Sequence, residues 1–163
     1  MSDPGVGVAP VITHPSDRET VVVRRFRGTA RQLFDLWTRP ELVAQWWPSG
    51  GRMIARDIDL RVGGRWRWAL FNDEYGIEVA YSGTYRVVDP PKVLAFTEAF
   101  ESMPGSDYEN VITFDEHPDG TTTVTERMTY SSMEWRDGHR AAGFDDGLSA
   151  AFQRIDVLLA AQR

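Results

Sequence analysis

Three polar side chains stand where the predicted strands otherwise present apolar residues on one face: Glu98, Asn110 and Glu126. A carboxylate that faces a dry interior is costly unless it is paired, hydrogen-bonded or protonated. We therefore interpret Glu98 and Glu126 as the polar part of a semi-enclosed cavity, with Arg65 or Arg67 as a nearby cation. The alternative is a register slip, or a bulge that turns both carboxylates toward solvent.

A carboxyl group in such a cavity can also act in catalysis, as a general base within hydrogen-bond reach of a substrate. Glu98 and Glu126 are the candidate catalytic residues, and Glu98 with Tyr81 would form an acid–base pair. The residue pattern leaves open whether any reaction takes place, and it favours binding over catalysis.

Other chemistries find little support in the sequence. It contains no cysteine, no Gly-x-Ser-x-Gly elbow and no phosphate-binding loop. The three histidines have no metal-ligand spacing and are predicted in a tail, a turn and a loop: His14, His117 and His139. We therefore expect neither a bound metal nor an organic cofactor.

Composition narrows the range of partners. The net charge is -6 and the pI about 5.0, whereas a nucleic-acid-binding domain is expected to present a basic face. No apolar run reaches the roughly 18 residues of a membrane span, and the N-terminus lacks a basic-then-apolar signal. We expect a cytoplasmic protein without a membrane span. Its 6 Trp, 8 Phe and 5 Tyr either fill a core or line a pocket.

A long amphipathic helix is predicted at the C-terminus, over Ala141–Gln162. Its apolar residues recur three or four positions apart, as on one helical face: Phe144, Leu148, Phe152, Ile155 and Leu159. At about 1.5 Å per residue the helix spans roughly 30 Å, enough to cross a small sheet. Gly143 and Gly147 each cost about 1 kcal/mol in a helix, so we expect close approach of another segment there, or space for a ligand. A position at the start of the helix is a further explanation for Gly143.

Most of the preceding chain reads as strands. Glu19–Arg27 is the first strand, followed by two short helices, Ala30–Thr38 with Thr29 as N-cap and Glu41–Trp47. Hairpin-linked strand signals then continue to the C-terminal helix, and Ser131–Gly138 is predicted as a connection. The predicted strands of this series are Arg52–Arg61, Arg65–Phe71, a strand from Ile77 to Val87, Lys92–Phe100, Tyr108–Phe114 and Thr121–Tyr130.

This order predicts an α+β fold, with a curved antiparallel sheet of about six to seven strands around the long helix. Residues 1–17 are predicted to form a flexible lead-in, although Val11 and Ile12 could add an edge strand. Residues 18–163 are predicted to form a single domain. An exposed edge strand would allow a homodimer, although nothing in the sequence requires one.

Several segments resemble one known family. They are RQLFDLWTRPELVAQWW (Arg31–Trp47), DIDLRVGGRWRW (Asp57–Trp68), YSGTYRVVDPPKVLAFTEAF (Tyr81–Phe100), and VITFDE followed by GTTTVTERMTY. The chain from about Glu19 to Gln162 is similar to the SRPBCC, or START-related, superfamily. Its closest match there is the subfamily named after the activator of the heat-shock-protein-90 ATPase.

The resemblance implies a START-like helix-grip fold, in which the sheet grips the C-terminal helix and leaves a cavity between them. Members of the superfamily bind lipids, sterols or polyketides, and some catalyse cyclisation or hydrolysis. Trp46 and Trp47 would then stand near the cavity mouth, either gating it or packing under the sheet edge.

Strand parity and this fold together nominate the ligand-binding residues, with a solid core as the alternative for each. They are Trp66, Trp68, Tyr81, Tyr85, Phe96, Glu98, Phe100, Asn110, Ile112, Glu126, Met128, Phe144, Leu148 and Phe152.

The predicted function is binding of a small, largely hydrophobic molecule: a lipid, a polyketide or an aromatic compound. The first alternative is an enzyme of the cyclase, aromatase or hydrolase type that uses Glu98 or Glu126 as general base. The second is a cochaperone-like partner of a heat-shock ATPase.

Overall fold

The computed structural model describes residues 5–48 and 50–163, which form eight strands and four helices. In chain order these are β1 (Val11–Thr13), β2 (Glu19–Phe26), α1 (Ala30–Thr38), α2 (Pro40–Trp46), β3 (Arg52–Ile58), β4 (Arg65–Asn72), β5 (Ile77–Asp89), β6 (Val93–Phe100), β7 (Tyr108–Glu116), β8 (Thr122–Thr129), α3 (Met133–Ala141) and α4 (Phe144–Ala161).

All eight strands belong to one antiparallel sheet in the order β1-β2-β8-β7-β6-β5-β4-β3. The predicted α+β class and helix-grip architecture are confirmed. The strand count exceeds the six to seven predicted, because Val11–Thr13 pairs with Val21–Val23 as an edge strand. The flexible lead-in falls partly on residues 1–4, which lie outside the described residues, and its flexibility stays a prediction.

The two short helices form where the sequence predicts them. Thr29 Oγ1 accepts a hydrogen bond from the Gln32 amide at 3.2 Å, and Gln32 Oε1 accepts one from the Thr29 amide at 2.8 Å. This capping box satisfies two backbone donors that the first turn of α1 would otherwise leave unpaired. Pro40 occupies the first turn of α2, where its missing N–H is tolerated. α1 packs against β7, and α2 packs against β3 and α4.

The C-terminal helix begins later than predicted, and the predicted connection Ser131–Gly138 is wrong. Most of that segment belongs to α3, whose first turn is capped by Ser132 Oγ accepting from the Trp135 amide at 3.2 Å. Gly143 separates α3 from α4, since its φ of +93° lies in the left-handed region that an α-helix cannot continue. The periodicity rule missed α3 because that helix has no buried residue and therefore no apolar stripe.

α4 lies across the sheet and buries its C-terminal half most deeply. Phe152, Ile155 and Leu159 are almost completely buried, and the Phe152 ring meets Phe26 edge-on at 5.3 Å between centroids. The N-terminal turns of α4 are more exposed. The helix is therefore fixed to the sheet at one end and leaves space beneath it at the other.

Two glycines in the recognised segments keep the sheet closely packed. A Cβ added at Gly64 would stand 2.0 Å from the backbone O of Asp59, and one at Gly83 would stand 1.7 Å from the backbone O of Thr97. Both approaches are too short for any side chain. These two motif positions are required by the fold.

Within the described residues, no helix is long and apolar enough to cross a membrane.

Candidate functional site

A half-open cavity of about 380 Å³ lies between the sheet and the N-terminal turns of α4. Its wall combines strands β4 to β7 with the ends of α2, α3 and α4. The lining residues are Trp46, Trp47, Leu70, Tyr81, Glu98, Tyr108, His139, Ala142, Gly143, Phe144, Gly147, Leu148 and Ala151. Ala142 and Gly143 are exposed to solvent, so the α3–α4 junction stands at the opening.

The sheet side of the wall carries the polar group that the sequence nominated. Leu94, Phe96 and Glu98 alternate onto the inner face of β6, as strand pleating requires. Glu98 is paired across the strands with Tyr108, and both residues line the cavity with Tyr81. The Glu98 side chain is half-buried and borders the cavity.

The helix side of the wall is made of small residues at its centre. A Cβ added at Gly147 would meet no atom within 4 Å, and Gly147 lines the cavity. Of the two explanations offered for this glycine, open space is the one observed. Gly143, by contrast, is required by its positive φ at the start of α4.

Trp46 and Trp47 play different parts at the end of α2. Trp46 is buried, and its indole Nε1 donates to the backbone O of Leu36 at 2.6 Å, which fixes the ring. Trp47 is half-buried and stands edge-on to Tyr81, at 5.6 Å between ring centroids. Both residues line the cavity, so this pair packs against its neighbours and also forms part of the cavity wall.

Glu98 and Glu126 both lie on the inner face, and neither is turned into bulk solvent. Burial raises the pKa of Glu98 to about 8, and the nearby Glu126 carboxylate contributes to the rise. Burial also raises the pKa of Glu126 to about 7, against hydrogen bonds from Asn110 and Trp37 that lower it. Each carboxyl group therefore holds its proton to a higher pH than an exposed glutamate does.

Glu126 lies behind the cavity wall and not on it. It is paired across the sheet with Val22 on one side and Ile112 on the other, so apolar residues flank it. Asn110, which is also buried, supplies a hydrogen bond to Glu126 and leaves its own Oδ1 without a partner. Asn110 and Glu126 therefore form the buried part of a polar region, and Glu98 is the part of it that borders the cavity.

The predicted ion pair with Arg65 or Arg67 is wrong. The alternation that turns Trp66 and Trp68 inward turns both arginines to the outer face. There Arg67 binds Glu101 at 3.0 Å and Glu78 at 2.8 Å. Neither arginine therefore acts as a counter-charge for the inner carboxyl groups of Glu98 and Glu126.

His139 was predicted in a loop, but it lies on α3 and lines the cavity. Its Nδ1 is 2.5 Å from the hydroxyl of Tyr130, and its ring centroid is 4.5 Å from that of Phe144, with the two planes tilted by 49°. Burial lowers the pKa of His139 to about 4, with Asp145 acting in the opposite direction. The imidazole is therefore uncharged at neutral pH. No pattern in the sequence identified this residue, because α3 itself was not recognised.

Four of the fourteen nominated binding residues lie on the cavity wall: Tyr81, Glu98, Phe144 and Leu148. The other ten lie behind it. Trp66, Trp68, Tyr85 and Phe96 surround a void of about 10 Å³, barely the space of one water molecule, so they form packed core. Asn110, Ile112, Glu126, Met128 and Phe152 are buried, and Phe100 packs against Tyr81 at 5.3 Å.

Besides His139 and the Trp46–Trp47 pair, the wall includes residues that were not nominated. Tyr108 and Leu70 share the inward parity of their strands and could have been included on that signal. Ala142 and Ala151 carry no chemical signal at all. Among the described residues, no group of three or more histidine, aspartate or glutamate side chains is arranged to hold a metal ion.

Comparison with known proteins places this architecture in a recognised group. A sequence model of the family described as activator of Hsp90 ATPase homolog 1-like protein matches residues 27–160. Among solved structures, a protein from Rhodobacter sphaeroides is 23% identical, with alignment over 94% of this chain and 99% of that one and a TM-score of 0.85. A protein from Mycobacterium smegmatis is 27% identical over 91% of this chain and 95% of that one, with a TM-score of 0.80.

An AHSA1-like protein from Aeromonas hydrophila is 19% identical over 85% of this chain and 93% of that one, with a TM-score of 0.67. The comparison with curated proteins gave no match. At these identities the structural likeness shows the shared fold.

Proposed function

This chain belongs to the family of activator of Hsp90 ATPase homolog 1-like proteins, and from that premise we propose a function. We propose that it binds a small, largely hydrophobic molecule in the cavity beneath α4. The helix-grip fold of this family is in general a ligand-binding fold. A volume of about 380 Å³ lies within the roughly 300–1,000 Å³ that small-molecule sites occupy.

The composition of the cavity wall is the observation that carries the proposal. Aromatic and aliphatic side chains form most of it, and Glu98 is a single carboxyl group among them. Apolar walls with few polar groups are the usual architecture of ligand sites, because burial supplies affinity and the polar group fixes orientation. The glycine at position 147 keeps the helix side of this space open.

Native mass spectrometry of the purified protein, followed by denaturing extraction, tests the proposal. A stoichiometric apolar molecule that dissociates on unfolding would support it and would name the ligand class. Recovery of a heat-shock ATPase in stoichiometric amounts with the chain would instead favour the activator role in the family's description. The cytoplasmic location and the homodimer remain predictions.

The enzymatic alternative has one observation in its favour. Glu98 faces the cavity near Tyr81, and burial, with the charge of Glu98, raises the pKa of that tyrosine. A carboxyl whose pKa of about 8 lies near neutrality is suited to general acid–base catalysis. This alternative predicts a turnover that Glu98→Gln abolishes while the far-ultraviolet and near-ultraviolet circular dichroism spectra stay unchanged.

A further inference from the structure

We propose that the ligand of this cavity is an organic cation, with an amine or quaternary ammonium group held against Glu98 and an apolar body against the aromatic wall. This inference rests on the proposed function and adds the charge of the ligand to it. Three features of the described residues carry it: an unpaired carboxyl group, the absence of a competing cation, and the arrangement of aromatic rings.

Glu98 has no basic partner among the described residues. The buried guanidinium of Arg24, by contrast, is paired with Asp156 at 2.6 Å. The interactions that affect Glu98 are burial and the charge of Glu126, which is itself acidic. A carboxylate at this position therefore lacks the counter-charge that a buried carboxylate requires.

The charged and titratable groups packed around the cavity do not supply that counter-charge. On α3, His139 is uncharged at neutral pH, since burial lowers its pKa to about 4. On α4, Asp145 and Asp146 occupy the first turn and offset the positive end of the helix dipole. Arg154 donates from Nε to the backbone O of Trp46 at 2.8 Å, and its buried Nη2 has no hydrogen-bond partner among the described residues. Its charge is nevertheless not among the causes that shift the pKa of Glu98.

The remaining wall is rich in aromatic rings that can face a cation. Trp47 and Tyr81 both border the cavity and contact each other edge to face, at 5.6 Å between ring centroids. Tyr108 and Phe144 complete this part of the wall. The negative face of such a ring attracts a cation, and the attraction strengthens when water is excluded. Once Glu98 is ionised, an anionic ligand would instead meet a carboxylate and the same negative ring faces.

Binding of a cation requires the ionised form of Glu98, and this fixes the direction of the pH dependence. Because Glu98 is protonated below a pKa of about 8, affinity for the cation rises with pH and levels off above that value. Well below it, affinity falls about tenfold for each pH unit. Tyr81 and Tyr130 remain neutral in this range, since burial raises their pKa values above the ordinary one.

A pair of isosteric probes tests the inference: benzyltrimethylammonium, whose charge is permanent, and neopentylbenzene, its neutral counterpart. Each is titrated into ¹⁵N-labelled protein at pH 6 and pH 8.5 and followed by NMR chemical shifts. We expect the cation to bind at least tenfold more tightly than the neutral probe at pH 8.5, with most of this preference lost at pH 6. In Glu98→Gln the preference should disappear at both pH values.

Glu109→Gln is the matched control, because it removes one negative charge from an exposed side chain of the neighbouring strand. It should leave the preference unchanged. Equal affinities of the two probes, or tighter binding of the neutral one, would overturn the cation inference while leaving the proposed binding function standing. Failure of the cation to bind at millimolar concentration, together with failure of neopentylbenzene to bind up to its solubility limit, would contradict the binding function as well.

Discussion

Glu98 and Glu126 occupy different environments although both lie on the inner face of the sheet. Glu98 borders the cavity, where a ligand or water can reach it, whereas Glu126 is enclosed between Val22 and Ile112. Burial raises the pKa of both, and their proximity discourages simultaneous ionisation. The enclosed carboxyl is thus a stability determinant and the accessible one is the group available to a ligand.

The raised pKa of Glu126 predicts that the protein loses stability as pH rises. The folded state keeps this proton to about pH 7, whereas the unfolded chain releases it near pH 4.5, so stability falls across that window. Glu126→Gln cannot ionise and should lose about 2–3 kcal/mol less than the wild type between pH 5 and pH 8. Urea unfolding at the two pH values measures the difference.

Glu109→Gln serves as the control here too, since it should follow the wild type at both pH values. An equal loss of stability in the wild type and in Glu126→Gln would show that Glu126 is not held protonated by its surroundings.

At the scale of elements, α4 is attached to the sheet through an ion pair whose arginine is buried and whose aspartate is partly exposed. Arg24 on β2 is 3% exposed and makes two 2.6 Å hydrogen bonds to Asp156, with its guanidinium also 4.5 Å from the ring of Phe26. This contact lies at the deeply buried end of α4, away from the cavity. It holds the helix while the other end leaves space.

Removal of Asp156 should destabilise the protein strongly. Asp156→Ala leaves the Arg24 charge buried without a partner, and we expect the free energy of unfolding to fall by about 3 kcal/mol. This is the low end of the roughly 3–5 kcal/mol typical of broken buried ion pairs, because Asp156 is 37% exposed. Asp73→Ala is the matched control, since its pair with Arg52 is exposed on both sides and should contribute less than about 1 kcal/mol. Comparable losses in the two variants, measured by urea unfolding, would contradict this account of how α4 is held.

The glycines of α3 and α4 should respond differently to alanine. Gly138 and Gly147 have open space at the Cβ position, so alanine at either should stabilise the protein by about 1 kcal/mol through helix propensity. Gly143→Ala should destabilise it by about 1–2 kcal/mol, because its φ of +93° is unfavourable for a residue with a side chain. Thermal unfolding of the three variants checks this order, and a stabilised Gly143→Ala would refute the described helix break.

At the scale of the whole molecule, the fold could be predicted from local signals and the cavity only in part. Strand alternation, the Thr29 cap and Gly83 each act over short stretches of chain, and the structure follows them. The recognised segments therefore identified the architecture. The glycines of these segments allow close backbone packing, however, so they indicate the fold and not the residues of the cavity wall.

The cavity wall is harder to predict because it is assembled from seven elements that are distant in sequence. Parity shows which face of a strand a residue occupies, but not whether an opposing helix covers it. Trp66 and Tyr81 both point inward, yet the first is enclosed by packed core and the second borders the cavity. His139 was not predicted as a cavity residue for a related reason: α3 has no apolar stripe, so the helix that carries His139 was not recognised in the sequence.

The central claim, that the space beneath α4 holds a small molecule, is tested most directly by native mass spectrometry of three proteins. They are the wild type, Gly147→Leu, which places a large side chain on the cavity wall, and Gly138→Leu, which adds the same side chain at an exposed helical glycine that does not line the cavity. We predict a bound molecule in the wild type and in Gly138→Leu, and its loss from Gly147→Leu without loss of folding. Equal occupancy in Gly147→Leu and the wild type, or no bound molecule in any of the three, would contradict the account.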